Sequence, residues 1–230
     1  MAVGGRDVQR RGIRDLPATW GLLAVIAVMF VLEGGLGSGL GSAPLMRMVH
    51  LGAQVNGFVL KGQWWRIVTA MFLHFNYLHV ALNGYSLFVM GELVEPALGT
   101  RRFLVVYLLG GVLGGLVSLV AYPLGEVLVG ASGAIFGLLG ATAVIAFSAE
   151  GPARRYLLRW LASILVLNLA FDVLDPSIAL WDHVGGLVGG FLAAYMLGGV
   201  RRTAGEGSRL AAAAYIVVGV GLIAFATAHG

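Results

Sequence analysis

Four side chains in an otherwise apolar chain have the right types for acyl transfer: Ser132, His183, His79 and Asn83. A serine hydroxyl is a weak nucleophile and needs a base within hydrogen-bond reach to take its proton during attack. Either histidine has the chemistry of that base. The tetrahedral intermediate also needs preorganised donors for its oxyanion, which a histidine, an asparagine and the free N–H groups at a helix start can supply. Asp182 precedes His183 directly, but neighbouring helix positions point about 100 degrees apart, so the expectation is a Ser/His dyad without a third acid. The chain has no cysteine, which excludes disulfides, thiolate metal sites and a cysteine nucleophile. No His-Glu-x-x-His occurs, so no metal is expected. Asp172, Asp175 and Asp182 fall on one loop or its edge, not deep in two facing helices.

The elements that hold these residues must be membrane helices. The 230 residues are 59% hydrophobic and 11% charged, with 36 glycines, whereas a soluble domain carries about a quarter charged residues. Seven apolar stretches approach the roughly 20 residues needed to span a bilayer. They lie near 18–33, 77–95, 102–122, 131–149, 156–172, 182–199 and 210–228. Arg6, Arg10, Arg11 and Arg14 precede the first stretch as they would a secretory signal, but no Ala-x-Ala site closes it, so it is expected to be retained as a helix.

Charge sets the orientation. With the N-terminus inside, 12 of the 15 basic residues fall in inner segments, and only Arg47, Lys61 and Arg66 fall outside. This follows the positive-inside rule through every loop. The net charge of +4 is therefore topological, with no nucleic-acid partner implied. One outer segment, 34–76, is long and semi-apolar, and segments of this kind usually fold or function in their own right. Its Trp64-Trp65-Arg66 run suits either an interfacial segment or ordinary aromatic-belt anchoring.

In this topology the second, fourth and sixth helices enter from the outside, and their first turns hold the unusual polar residues. Asn76 is a good N-cap for the second helix and sets His79 and Asn83 four residues apart on one face. Ser132 opens the fourth helix within Gly130-Ala131-Ser132-Gly133, and Asp182 and His183 open the sixth. Polar residues in a membrane are costly and face the bundle interior or a water-filled cavity. Gly186 and Gly190 form a small-xxx-small surface on the sixth helix that permits close approach to the fourth. The loop 172–181, broken by Asp175-Pro176, and the fifth helix before it are the expected outer gate.

At these residues the chain resembles the rhomboid intramembrane protease family, in order from about residue 62 to 195. The pieces are Trp65-Arg66, His74-Phe75, His79-x-x-x-Asn83, Gly91-x-x-x-Glu95-x-x-x-Gly99, Gly130-x-Ser132-Gly133 and His183-x-x-Gly186-x-x-x-Gly190. Gly-x-Ser-Gly alone is a weak signal, and the ordered set is specific. The resemblance implies an all-α polytopic membrane protein with a six-helix core. In that core Ser132 is the nucleophile, His183 the general base and then acid, and His79, Asn83 and Ser132 serve the oxyanion. It implies single-span membrane proteins as substrates, cut near the outer end of their helix with small residues favoured at the cut, and no cofactor. Phe136 stands four residues after the serine, where some members carry a tyrosine stacked on the histidine, so stacking is expected without the hydroxyl. The stretch 210–228 is additional to the core and resembles a six-plus-one arrangement. The expected organisation is a basic cytoplasmic segment 1–17, the membrane domain 18–200, and a linker with the extra helix over 201–230. A bacterial inner membrane, with the site opening outward, fits this compact design.

Each feature has an ordinary structural reading. A serine among glycines in a membrane helix is commonly a packing residue, and a lone histidine or asparagine an interhelical donor. His74 reads as structural, His50 and His229 as surface or interface groups, and Glu95 as a cap or a partner of Arg101 or Arg102. Packing alone does not require Ser132, His79, Asn83 and His183 at one depth on alternate helices. A non-catalytic rhomboid-like protein that binds membrane clients stays open as the alternative, as does a hydrolase of lipids or other small molecules. A transporter predicts internal repeats and a midplane site, and neither is seen in the sequence.

Overall fold

The computed structural model describes residues 15–34, 44–174, 179–198 and 206–230. In chain order the elements are α1 (Pro17–Leu32), α2 (Leu45–Leu51), β1 (Gln54–Val55), α3 (Asn56–Leu60) and α4 (Arg66–Thr69) with a 3-10 turn at Ala70–Phe72. There follow α5 (Tyr77–Leu98), α6 (Thr100–Ala121), β2 (Val127–Leu128), α7 (Ser132–Ser148), α8 (Gly151–Leu174), α9 (Leu180–Met196) and α10 (Glu206–His229). Each expected apolar stretch is a helix. The largest departure is α8, which starts at Gly151 and runs through Asp172, a residue the sequence placed in the loop. Pro152 is tolerated in a first helical turn, and nothing between it and Leu174 breaks the helix. The expected gate loop therefore shortens to the segment between Leu174 and Leu180, of which residues 175–178 lie outside the described residues.

The surface is as apolar as the interior, and a few polar side chains are buried with the core. Large apolar side chains point outward on α5 (Leu78, Leu82, Tyr85), α8 (Val166, Leu167, Phe171) and α10 (Ile216, Val217, Phe225). Thr19, Glu33, Asn56, His74, Asn83, Glu95 and His183 are buried. This is the distribution a lipid solvent selects, and it makes the chain an integral membrane protein. Among the described residues, α6 and the Gly207–His229 part of α10 qualify as spans by length and apolarity alone, while α1 and α7 are apolar but shorter. α9, with 17 residues, is also short.

The core is a tight trio of α6, α7 and α9 joined through glycines. A Cβ built on Gly186 would collide with the Gly133 carbonyl, and one on Gly190 with the backbone of Gly137. The expected small-xxx-small surface on α9 therefore does meet α7, backbone to backbone. α5 packs on α1 and α7, and α8 chiefly on α7. α10 lies against α6 and α9, with Ala226 packed among Leu113, Leu116 and Leu119 and the Tyr215 hydroxyl donating to the Leu109 carbonyl at 2.7 Å.

Glu95 neither caps its own helix nor pairs with Arg101 or Arg102. Its buried carboxylate accepts from the Ala18 N–H (3.0 Å), the Thr19 N–H (2.9 Å) and the Thr19 hydroxyl (2.7 Å), and from the Thr100 hydroxyl at 2.9 Å. α1 begins with Leu16 at its N-cap and no side-chain cap of its own, so Glu95 supplies from α5 the anionic cap that a helix N-terminus favours. Gly91 lies one turn earlier on the same face, and a Cβ there would collide with the Thr19 side chain. The Gly91-x-x-x-Glu95 spacing is thus the docking surface for α1.

The described part of the long segment, residues 44–76, is folded, and Arg66 organises it. Its guanidinium donates to the Val49 carbonyl (2.7 Å), the Ala53 carbonyl (2.9 Å) and the Gln63 side chain (2.6 Å), and lies over the Phe58 and Trp65 rings. The sequence offered only anchoring roles for this run. Trp64 and Trp65 do face outward, but Arg66 is 7% exposed and acts internally. Gln54 donates to the Gly115 carbonyl and Asn56 to the Ser118 and Tyr122 carbonyls, fastening the segment to the end of α6.

Candidate active site

The short strands β1 and β2 pair antiparallel, Gln54 with Leu128 and Val55 with Val127. That pairing holds the chain just before Ser132. Two residues later the Gly130 N–H donates to the Ala70 carbonyl at 3.0 Å. Gly130 has φ +135°, a conformation open to glycine and strained for other residues. The outer segment thus fixes the approach to α7 from two sides.

Ser132 is the first residue of α7, after an Ala131 that offers no side-chain cap. The first backbone bond into the helix is from the Ile135 N–H to the Ala131 carbonyl, so the N–H groups of Ser132, Gly133 and Ala134 have no intrahelical acceptor. A Cβ placed on Gly130 would lie 2.9 Å from His79 Nε2 and 3.5 Å from Ser132 Oγ. The missing side chain therefore marks a point shared by the nucleophile candidate and an oxyanion candidate.

His79 is held at several points. Its N–H donates to Asn76 Oδ1 at 2.8 Å, the N-cap contact expected for α5. Its ring lies edge-on to His74, with centroids 5.0 Å apart, and stacks on Phe75 at 6.1 Å. Asn83 is buried and donates through Nδ2 to the His79 carbonyl at 3.1 Å, placing both residues on the face of α5 that meets α7. His74 is fully buried, and its N–H donates to the Glu33 carboxylate at 3.1 Å, in keeping with a structural role. His50 and His229 are exposed, away from this cluster.

His183 lies in the first turn of α9 and is 5% exposed. The Phe136 ring covers it at 4.1 Å between centroids and 6° between planes. Phe136 is one turn into α7 from Ser132, so a single stack fixes the imidazole against the helix that carries the serine. A cavity of about 30 Å³ borders the start of α7, lined by Gln54, Met71, Gly130, Gly133, Ala134 and Asp182 among others, with Ser132 and His183 outside its lining. Gln54, Asn56 and Glu33 were not singled out in the sequence. The detectable signal is an uncompensated polar residue in an apolar run, as in Gln54-Val55-Asn56. Among the described residues no group of three or more His, Asp or Glu is placed to hold a metal.

Known proteins match the sequence over most of these elements. The family model described as "Rhomboid domain" matches residues 61–200, which runs from the turn before Arg66 past the end of α9. Rhomboid protease GluP of Bacillus subtilis is 36% identical over 177 residues, covering 77% of this chain and 34% of that protein. YdcA of the same bacterium is 31% identical over 187 residues, covering 80% of this chain and 90% of its own length. RHOMBOID-like protein 9, chloroplastic, of Arabidopsis thaliana is 41% identical over 103 residues, 45% of this chain and 22% of the plant protein. The chain thus spans about a third of GluP and nearly all of YdcA. With the matched region covering α5 to α9, including the helices that carry His79 and His183, the chain belongs to the rhomboid family.

Proposed function

We propose that the protein is an intramembrane serine endopeptidase that cuts transmembrane segments of other membrane proteins near the outer leaflet. Ser132 acts as nucleophile and His183 as general base, with His79, Asn83 and the Ser132 N–H at the oxyanion. The observation that carries this reading is the close approach of His79 Nε2 and Ser132 Oγ to one point beside Gly130. A side chain at 130 would crowd both groups, and the glycine leaves a nucleophile and a donor side by side, as attack on a carbonyl requires.

In the reaction, Ser132 Oγ attacks the scissile carbonyl carbon while His183 takes its proton. The oxyanion that forms is stabilised by donors fixed before the reaction, so no reorganisation is needed as charge develops. His183 then gives its proton to the leaving amine, and the C–N bond breaks to leave an acyl-enzyme on Ser132. A water deprotonated by His183 attacks the ester, and the proton returns to Ser132 Oγ as the acid product departs. The dyad is positioned by helix packing and the Phe136 stack, in place of a carboxylate orienter.

The matched relatives named as proteases support the same activity, and the N-inside charge distribution supports an outward-opening site in a bacterial inner membrane. The six-plus-one arrangement, with 18–200 as catalytic domain and the 201–230 stretch as linker and extra helix, is part of this proposal. The competing reading is a rhomboid-like protein that binds clients without cutting them. Reconstitution in liposomes with a single-span substrate separates the two. Cleavage by wild type, lost in Ser132→Ala and in His183→Ala, is expected. Substrate capture without cleavage, by a well-folded wild type, is the outcome that selects the non-catalytic reading.

A further inference from the structure

Asp182 is the residue that the dyad leaves unused. Neighbouring positions on a helix diverge by about 100 degrees, and its carboxylate is directed at the first turn of α7, packed directly against Gly133. A Cβ on Gly133 would collide with Asp182 Oδ2, and one on Gly114 would lie 2.7 Å from Asp182 Oδ1. The carboxylate therefore occupies a slot between α6 and α7 that exists because both residues are glycine. Gly133 follows the serine candidate and Asp182 precedes the histidine candidate, so this contact is one residue from each.

We propose that Asp182 is a positioning residue: from α9 it caps the N-terminus of α7 and fixes the longitudinal register of Ser132 against His183. α7 has no side-chain cap of its own, and an anion from another helix satisfies one of its orphan donors and suits the positive end of its dipole. Taking the Gly133 N–H out of play also leaves the Ser132 N–H as the backbone donor facing the oxyanion. The contact accounts for the glycine after the serine in mechanical terms, since any side chain at 133 displaces the cap. Elsewhere α9 meets α7 through bare glycine backbone at Gly186 and Gly190 and through the Phe136 ring on His183, contacts that set proximity without a directional bond. In the proposal, the Asp182 cap adds that bond at one end and so locks the register.

The catalytic part of this proposal rests on the Ser132/His183 reading above, and the cap does not, so the test reads them separately. Amide exchange at Gly133, measured in detergent on wild type, Asp182→Ala and Asp182→Asn, reports the cap whether or not the protein cuts anything. Faster exchange in D182A and near-wild-type exchange in D182N, whose amide oxygen still accepts, is expected. Unchanged exchange in D182A overturns the cap. Cleavage kinetics on the same proteins report positioning. D182A is expected to lose about 10-fold or more in kcat with KM little changed, as misplacement of a reacting group does, and D182N to stay within about threefold of wild type. A D182A protein with altered exchange but wild-type kcat overturns positioning. So does a loss in D182A that tracks its melting temperature in step with a remote destabilising variant such as Gly91→Ala. A wild type that cuts nothing removes the protease reading and the positioning role with it, leaving the exchange result to decide the cap.

Discussion

Asn83 shows how a membrane interior turns a modest side chain into a strong candidate. It is buried, and one amide hydrogen is committed to the His79 carbonyl. Its second hydrogen is free to meet charge that develops only during the reaction. Asn83→Ala is therefore expected to lower kcat by about 100-fold, the usual cost of an oxyanion donor, with KM changed little. Steady-state cleavage kinetics check this, and a raised KM at unchanged kcat assigns Asn83 to substrate binding instead. At this scale the candidate site was legible, because Ser132, His79, Asn83 and His183 are expensive residues for a membrane helix and their helical offsets alone set a common depth. The Asp182 contact was not legible. It is made against glycine backbone on other helices, which leaves no pattern in the sequence beyond a glycine that many roles would explain.

Among the elements, α1 is held to α5 by an anionic cap and a glycine, and the two make one joint. Gly91→Ala pushes a methyl group into Thr19, an overpacking that typically costs about 1–3 kcal/mol. Thermal unfolding in detergent is expected to show that loss, and Thr19→Ala in the same chain to recover part of it, because the two changes share one contact. Additive effects contradict the joint. Replacing Glu95 with Ala strands two N–H groups at the start of α1 and the Thr19 and Thr100 hydroxyls, so it is expected to destabilise by about 1–3 kcal/mol or more, read by the same melt. Helix positions were legible from apolar runs and breaks, because a span must be long and apolar whatever it packs against. The fold inside 34–76 was not. Its short helices fall below any periodic signal, and its organiser, Arg66, looks in sequence like one more interfacial charge. Only the contacts with the Val49 and Ala53 carbonyls reveal its role.

For the whole molecule, orientation and chemistry are separate claims. In the proposed orientation, which follows the charge distribution, the N-terminus is inside and the site outside. The natural absence of cysteine makes this directly testable with single cysteines at Glu126 and Arg154, between β2 and its flanking helices or at the start of α8. In right-side-out vesicles an impermeant thiol reagent is expected to label the first and spare the second, and the reverse pattern contradicts the topology. The site itself combines an outer segment that locks the approach to Ser132, a glycine trio that brings α7 to α9, and Phe136 laid on His183. The central claim is that this arrangement activates Ser132. The most direct measurement is covalent labelling of the purified protein by a fluorophosphonate probe, with the modified residue located by mass spectrometry. Modification at Ser132, lost in Ser132→Ala and in His183→Ala, is the predicted result. A folded wild type that takes no label at Ser132, and leaves a model transmembrane substrate intact, contradicts it.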